Sequence, residues 1–129
     1  MDAVEEIREL LRKRIEALRV HDAKAANAAL DKCVVAFEVA GPLQLPAQQA
    51  TDAAATQTWL DSFDEGPFVS VNELTIYADA GVGYCHSLNR LYGRGNDRRA
   101  IDLTMRSTLG LRKTNAGWVI VHAHTSLPR

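Results

Sequence analysis

Several side chains able to do chemistry fall in segments where packing alone would favour Val or Ile. Glu38 closes the run Val34-Val35-Ala36-Phe37-Glu38-Val39. A carboxylate on a half-buried strand has its pKa raised by desolvation and can act as a general base. On an edge strand facing water it would have no such role, and the residues leave both readings open. His124 is the other candidate base. His86, Arg90 and Tyr84 are candidates to steady the oxyanion that forms when a proton leaves a carbon beside a carbonyl. Asp102 is a further carboxylate, but Arg106 stands four residues on, about 13 Å along a strand and too far for a direct pair.

His122 and His124 form a His-x-His pair. Their backbones would stand about 6.6 Å apart, so both imidazoles could reach one metal ion with His86 or Glu38 as third ligand. No acidic residue follows His124, and no metal is expected. Nucleophile and phosphate motifs are missing: there is no Gly-x-Ser-x-Gly, no Gly-x-x-x-x-Gly-Lys, and no Gly-x-Gly-x-x-Gly opening a helix. No organic cofactor is expected. Trp59 and Trp118 read as core before they read as stacking platforms, with Trp59 a candidate to line a pocket.

These groups must be positioned by a mixture of helices and strands. Val4, Ile7, Leu11, Ile15 and Leu18 recur at steps of three and four, which predicts a helix from Ala3 to about Val20. Asp22 is a good N-cap for a second, Ala-rich helix from Ala23 to about Leu30. The run Val34–Val39 reads as a strand, broken by Gly41-Pro42. Ala47 to about Phe63 reads as a third helix stopped by Gly66-Pro67. Four strands then follow, Phe68–Tyr77, Val82–Tyr92, Ala100–Lys113 and Trp118–Thr125. Turns too short for crossovers join them, so they pair as antiparallel hairpins. Helices segregated from a mostly antiparallel sheet define the α+β class. Strands of about ten residues coil strongly, and a bent sheet closing over helices leaves a conical hollow that suits a small ligand.

Strict alternation places Tyr84, His86 and Arg90 on one face of their strand. It puts Asp102 and Arg106 opposite the apolar side of theirs, and groups Trp118, Ile120, His122 and His124 together. The ionisable set is expected either to line one hollow or to divide between it and an outer sheet face. Arg106 then points outward, where a subunit contact is one option.

Composition sets the limits. The 129 residues are 47% hydrophobic and 24% charged with a net charge of −1, values of an ordinary globular domain. One domain spanning 1–129 is expected, with a core that needs no staples. Near-neutral charge argues against a nucleic-acid or membrane-surface binder. Up to Gly66 there are 7 Lys/Arg against 12 Asp/Glu and from Pro67 onward 8 against 4, so the second half is mildly basic. Two well-separated cysteines, Cys33 and Cys85, and no evident leader or membrane span point to a reduced, cytoplasmic protein.

The segments Val34–Glu38, Gly41-Pro42-Leu43, His86-Ser87-Leu88-Asn89-Arg90, Arg106–Lys113 and His122-Ala123-His124-Thr125-Ser126-Leu127-Pro128 also carry a likeness. Together they resemble the SnoaL-like, ketosteroid-isomerase-related proteins of the nuclear transport factor 2-like superfamily, nearly end to end. The resemblance implies a cone-shaped α+β barrel, three N-terminal helices on a strongly curved sheet, and a homodimer packed through the outer sheet face. That superfamily holds isomerases, polyketide cyclases, epoxide hydrolases and non-catalytic binders, so fold alone does not choose among them. Neither the isomerase pattern of a tyrosine with two acidic residues nor the Asp–Arg–Asp set of the epoxide hydrolases can be placed on this chain. The expectation is a pocket for a small apolar carbonyl compound, with proton-transfer chemistry of the isomerase or cyclase kind. The alternative is a non-catalytic ligand-binding or dimeric interaction module.

Overall fold

The computed structural model describes Met1–Arg129. Helix α1 spans Ala3–Arg19 and begins where the Asp2 carboxylate accepts the Glu5 backbone N–H at 2.8 Å. Helix α2, Ala23–Asn27, begins the same way at Asp22, which accepts from Ala25 at 3.0 Å. Between them His21 adopts a left-handed backbone (φ 60°). Its ring nitrogens reach the Gly66 carbonyl at 2.5 Å and Asp61 at 3.3 Å, tying the helical turn to the sheet.

The chain turns from helix to strand earlier than its β-branched run suggests, because β1 covers Leu30–Phe37 and Glu38 lies just past its end. The single helix expected over Ala47–Phe63 is two. Helix α3 (Ala47–Ala50) stops at Thr51, whose hydroxyl bonds back to the Ala47 carbonyl. Helix α4 (Ala53–Asp61) starts afresh at Asp52, which caps the Ala54 N–H. The Gly66-Pro67 pair does not separate helix from strand. Strand β2 already begins at Phe63 and runs to Ala78, followed by β3 (Val82–Gly95), β4 (Ala100–Thr114) and β5 (Gly117–Ser126).

The five strands form one sheet in the order β1-β5-β4-β3-β2. Only β1 and β5 are parallel, and the other three pairings are antiparallel. Of its five register breaks, two bear on the site. In β2 the register breaks between Asn72 and Thr75, where Glu73 has φ 53°. In β5 Val121 is an extra residue, because Leu111 pairs with Ile120 while Gly110 pairs with His122. Each bulge adds local twist to an already coiled sheet.

Helix α1 lies chiefly on β2. The core gathers at the narrow end, from Ile7, Val34, Ile76, Cys85, Leu111, Trp118 and Ile120. Gly83 permits this packing, since a Cβ there would stand 3.0 Å from the Ile7 Cδ1. Both cysteines are free, Cys33 exposed and Cys85 buried. Burial pushes the Cys85 thiol up to about 11. A chromogenic disulfide reagent at pH 8 is therefore expected to label Cys33 quickly and Cys85 only as fast as the protein unfolds. The folded state holds the Cys85 proton that the unfolded chain releases, so this group also lowers stability as pH climbs from about 9 to about 11. Equal, fast labelling of both thiols would show that the core is open.

Candidate functional site

Burial and register sort the strands into an inner face toward the helices and an outer face. On β3 the inner residues are Gly83, Cys85, Ser87, Asn89 and Leu91, while Tyr84, His86, Leu88 and Arg90 are outer. On β4 Leu103, Met105, Ser107, Leu109 and Leu111 are inner, while Asp102, Arg106 and Thr108 are outer. The Val121 bulge then reverses β5. Trp118 and Ile120 point inward, but past the extra residue Ala123 and Thr125 take the inner side and His122 and His124 the outer one. The expectation that Trp118, Ile120, His122 and His124 share a face is thus corrected: a single inserted residue shifts every later side chain to the opposite side.

The outer face consequently holds most of the expected ionisable set. Thr75, His86, Thr108, His124 and Phe37 stand level across all five strands. Phe37 meets His122 and His124 edge-on at 5.1 and 5.4 Å. The Nδ1 of His122 donates to the Val35 carbonyl at 2.8 Å, which fixes its tautomer. Arg90 clamps Asp102 with two bonds of 2.9 and 2.8 Å and lies 4.3 Å over the Tyr92 ring. That guanidinium holds the Asp102 carboxyl below its ordinary range. Asp102 therefore stays ionised and already bonded, a poor base. Arg106 and His86 make no side-chain hydrogen bond or ion pair. The residues proposed to steady an oxyanion, His86, Arg90 and Tyr84, lie across the sheet from the inner face, and no group of three His, Cys, Asp or Glu is placed to hold a metal ion.

The inner face carries a different polar set. Ser87 donates to Asn89 at 2.8 Å, Ser107 is buried, and the Thr125 hydroxyl approaches Glu38 at 3.4 Å. These groups interrupt the apolar side chains Leu91, Leu103 and Met105. The wide end keeps access to water, for Leu103 is 37% exposed and Trp59, edge-on to Phe63 at 5.2 Å, is 43% exposed.

From α1 comes a residue not singled out from the sequence. Arg14 donates through Nε to the Ala26 carbonyl at 3.2 Å and makes no other side-chain bond. Burial pulls its guanidinium below the ordinary value, and the nearby Glu38 carboxylate opposes that shift. The two do not form an ion pair within 4 Å, and Glu38, just past the end of β1, is exposed rather than half-buried as a mid-strand carboxylate would be. Position 14 is seven residues after Ile7 and four before Leu18, at the edge of the apolar stripe. A charge inside a stripe was the available signal.

Helices on a strongly bent, mostly antiparallel sheet, with polar side chains interrupting its apolar inner face, define the cone-shaped α+β class. The chain belongs to the SnoaL-like domain family, whose pattern matches residues 7–129. Among solved structures it is similar to a nuclear transport factor 2-like protein of unknown function from Pseudomonas putida, at 26% identity over 98% of this chain and 87% of that one, TM-score 0.79. A nuclear transport factor 2-like protein from Cytophaga hutchinsonii shares 14% identity over 99% and 100%, TM-score 0.80. A protein from Streptomyces avermitilis, named as a candidate dehydratase of the nuclear transport factor 2-like family, shares 12% over 97% and 95%, TM-score 0.78. The last two likenesses carry the fold alone. No curated protein matches. No helix is long and apolar enough to cross a membrane.

Proposed function

We propose that this chain binds a small apolar carbonyl compound in the hollow under α1 and moves a proton on it. Glu38 is the base, and Arg14 steadies the enolate oxygen. One observation carries the reading: a partly buried guanidinium makes a single protein bond, to the Ala26 carbonyl, and does not pair with the Glu38 carboxylate that acts on it. A cation kept in that state costs stability unless a ligand completes its bonding. It favours an oxygen that gains negative charge, which is what leaves a carbonyl when its α-proton is taken. Among the histidines expected from sequence, His124 and His86 lie across the sheet from this pair. The reduced, cytoplasmic setting fits the two unpaired thiols.

The test is exchange of α-protons in D2O, followed by proton NMR over a panel of apolar ketones. The intact chain is expected to speed loss of the α-proton signal. Glu38→Gln is expected to lower the rate about 100-fold or more, and His124→Ala to leave it within about two-fold. No acceleration by the intact chain, or a loss with His124→Ala rather than Glu38→Gln, overturns the reading.

A second reading concerns the outer face and is compatible with the first. Tyr77, Val82, Tyr84 and Leu88 stand there 52%, 63%, 49% and 42% exposed, apolar side chains on one sheet face with His86 between Tyr84 and Leu88. Exposed apolar patches mark association sites, and a homodimer through this face accounts for these side chains.

A further inference from the structure

We infer that two copies of this chain meet outer face to outer face about a two-fold axis lying in the interface along β3, so that Glu73 of each copy pairs with Arg106 of the other. The inference rests on the homodimer reading above and fixes its geometry. Within one chain Glu73 and Arg106 line the same groove of about 410 Å3, together with Thr75, His86, Leu88 and Thr108. They lie on β2 and β4 with β3 between them, roughly 9.6 Å apart across two strand spacings. Neither has a charged or hydrogen-bonded partner in its own chain. A groove with an unpaired carboxylate on one wall and an unpaired guanidinium on the other is complementary to itself.

An isologous contact sets residue i on residue j and j on i. An axis along β3 exchanges β2 with β4, so Glu73 faces Arg106 of the other copy twice over. The same operation sets Leu88, level with Arg106 and Asn72, against its own copy at the centre. It also carries Tyr77 onto the position of Gly110, since Tyr77, Tyr84 and Gly110 stand level and Gly110 leaves a notch with no side chain. The result is an apolar centre of Leu and Tyr with a charged rim, the anatomy of a specific interface. An axis along β4 would set Arg106 on Arg106 and leave Glu73 without a cation. Under the β3 axis Arg90 also nears its own copy, but its charge is already taken up by Asp102 at 2.8 Å. Strands β2, β3 and β4, about 14 Å across and about 45 Å long, present roughly 600 Å2 per copy. Two copies then bury about the 1,200 Å2 at the lower end of stable interfaces.

Sedimentation velocity on the full chain and three variants tests this, with thermal melts confirming that each variant is folded. The intact chain is expected to sediment as a dimer. Glu73→Arg alone and Arg106→Glu alone each set like charges together twice, and each is expected to weaken dimerisation about 100-fold. The double variant exchanges the partners and is expected to recover to within about ten-fold of the original. A dimer that ignores both single changes, or folded single variants that dissociate without rescue by the double, overturns the β3 axis and leaves the homodimer reading standing. An intact chain that is monomeric overturns both.

Discussion

Ile120→Ala is expected to cost about 3–4 kcal/mol of folding stability and to lower Tm by about 10 °C, measured by urea titration and thermal melting. Ile120 is 0% exposed and sits where the two halves of the molecule join. Its N–H donates to the Ala29 carbonyl at 2.7 Å, and it stands level with Leu30 on β1 and Leu111 on β4. The neighbours are held by backbone pairing on both sides, so the space left by three lost carbons cannot collapse. Only 17 of 129 residues are buried, which makes the loss a large share of a total stability in the range of about 5–15 kcal/mol. Ile120→Val, removing one carbon, is expected to cost about 1 kcal/mol. A cost below about 1 kcal/mol for the alanine change would mean that the cluster is not the core that holds α1 and β1 to the sheet.

The same residue shows what sequence could and could not tell. Period-2 alternation and short turns gave four antiparallel strands, three with nearly correct bounds and β2 begun five residues late, because hydrophobic patterning reports burial directly. The first helix was readable from its stripe and Asp22 from its capping chemistry. Alternation failed after Ile120, because a bulge changes no residue type and leaves no compositional mark. His122 and His124 were therefore assigned to the side of Trp118 and lie on the other. Helices α3 and α4 merged in the reading because Ala, Gln and Thr run continuously across Thr51-Asp52, and the break comes from a side-chain cap rather than from a Gly or Pro. Glu38 stood out because a carboxylate beside Val and Phe is conspicuous, although the chain leaves the strand at Phe37 and the carboxylate is exposed. Arg14 did not stand out because Arg is common on helix surfaces, and its partial burial comes from α2, whose Ala26 carbonyl it bonds.

Arg14→Met is expected to separate stability from function in opposite directions. The guanidinium is partly buried and makes one hydrogen bond, to Ala26, with Glu38 near enough to oppose the shift that burial imposes but not to pair. Methionine has a similar length and fills irregular gaps without a desolvation cost. Losing the bond to Ala26 costs about 1 kcal/mol, and removing an incompletely paired cation returns as much or more. The variant is expected to be as stable as the parent or up to about 2 kcal/mol more stable, by urea titration. Its α-proton exchange on the active ketones should fall about 100-fold, because nothing then offsets the charge that develops on the oxygen. Arg14→Lys keeps a cation but loses the planar fork, and should fall between the two. Stability gained with activity lost is the signature of a group kept for its ligand. If Arg14→Met instead unfolded by more than about 2 kcal/mol, the guanidinium would be a clasp holding α2 to α1, and the hollow would lose the cation on which the proton-transfer reading depends.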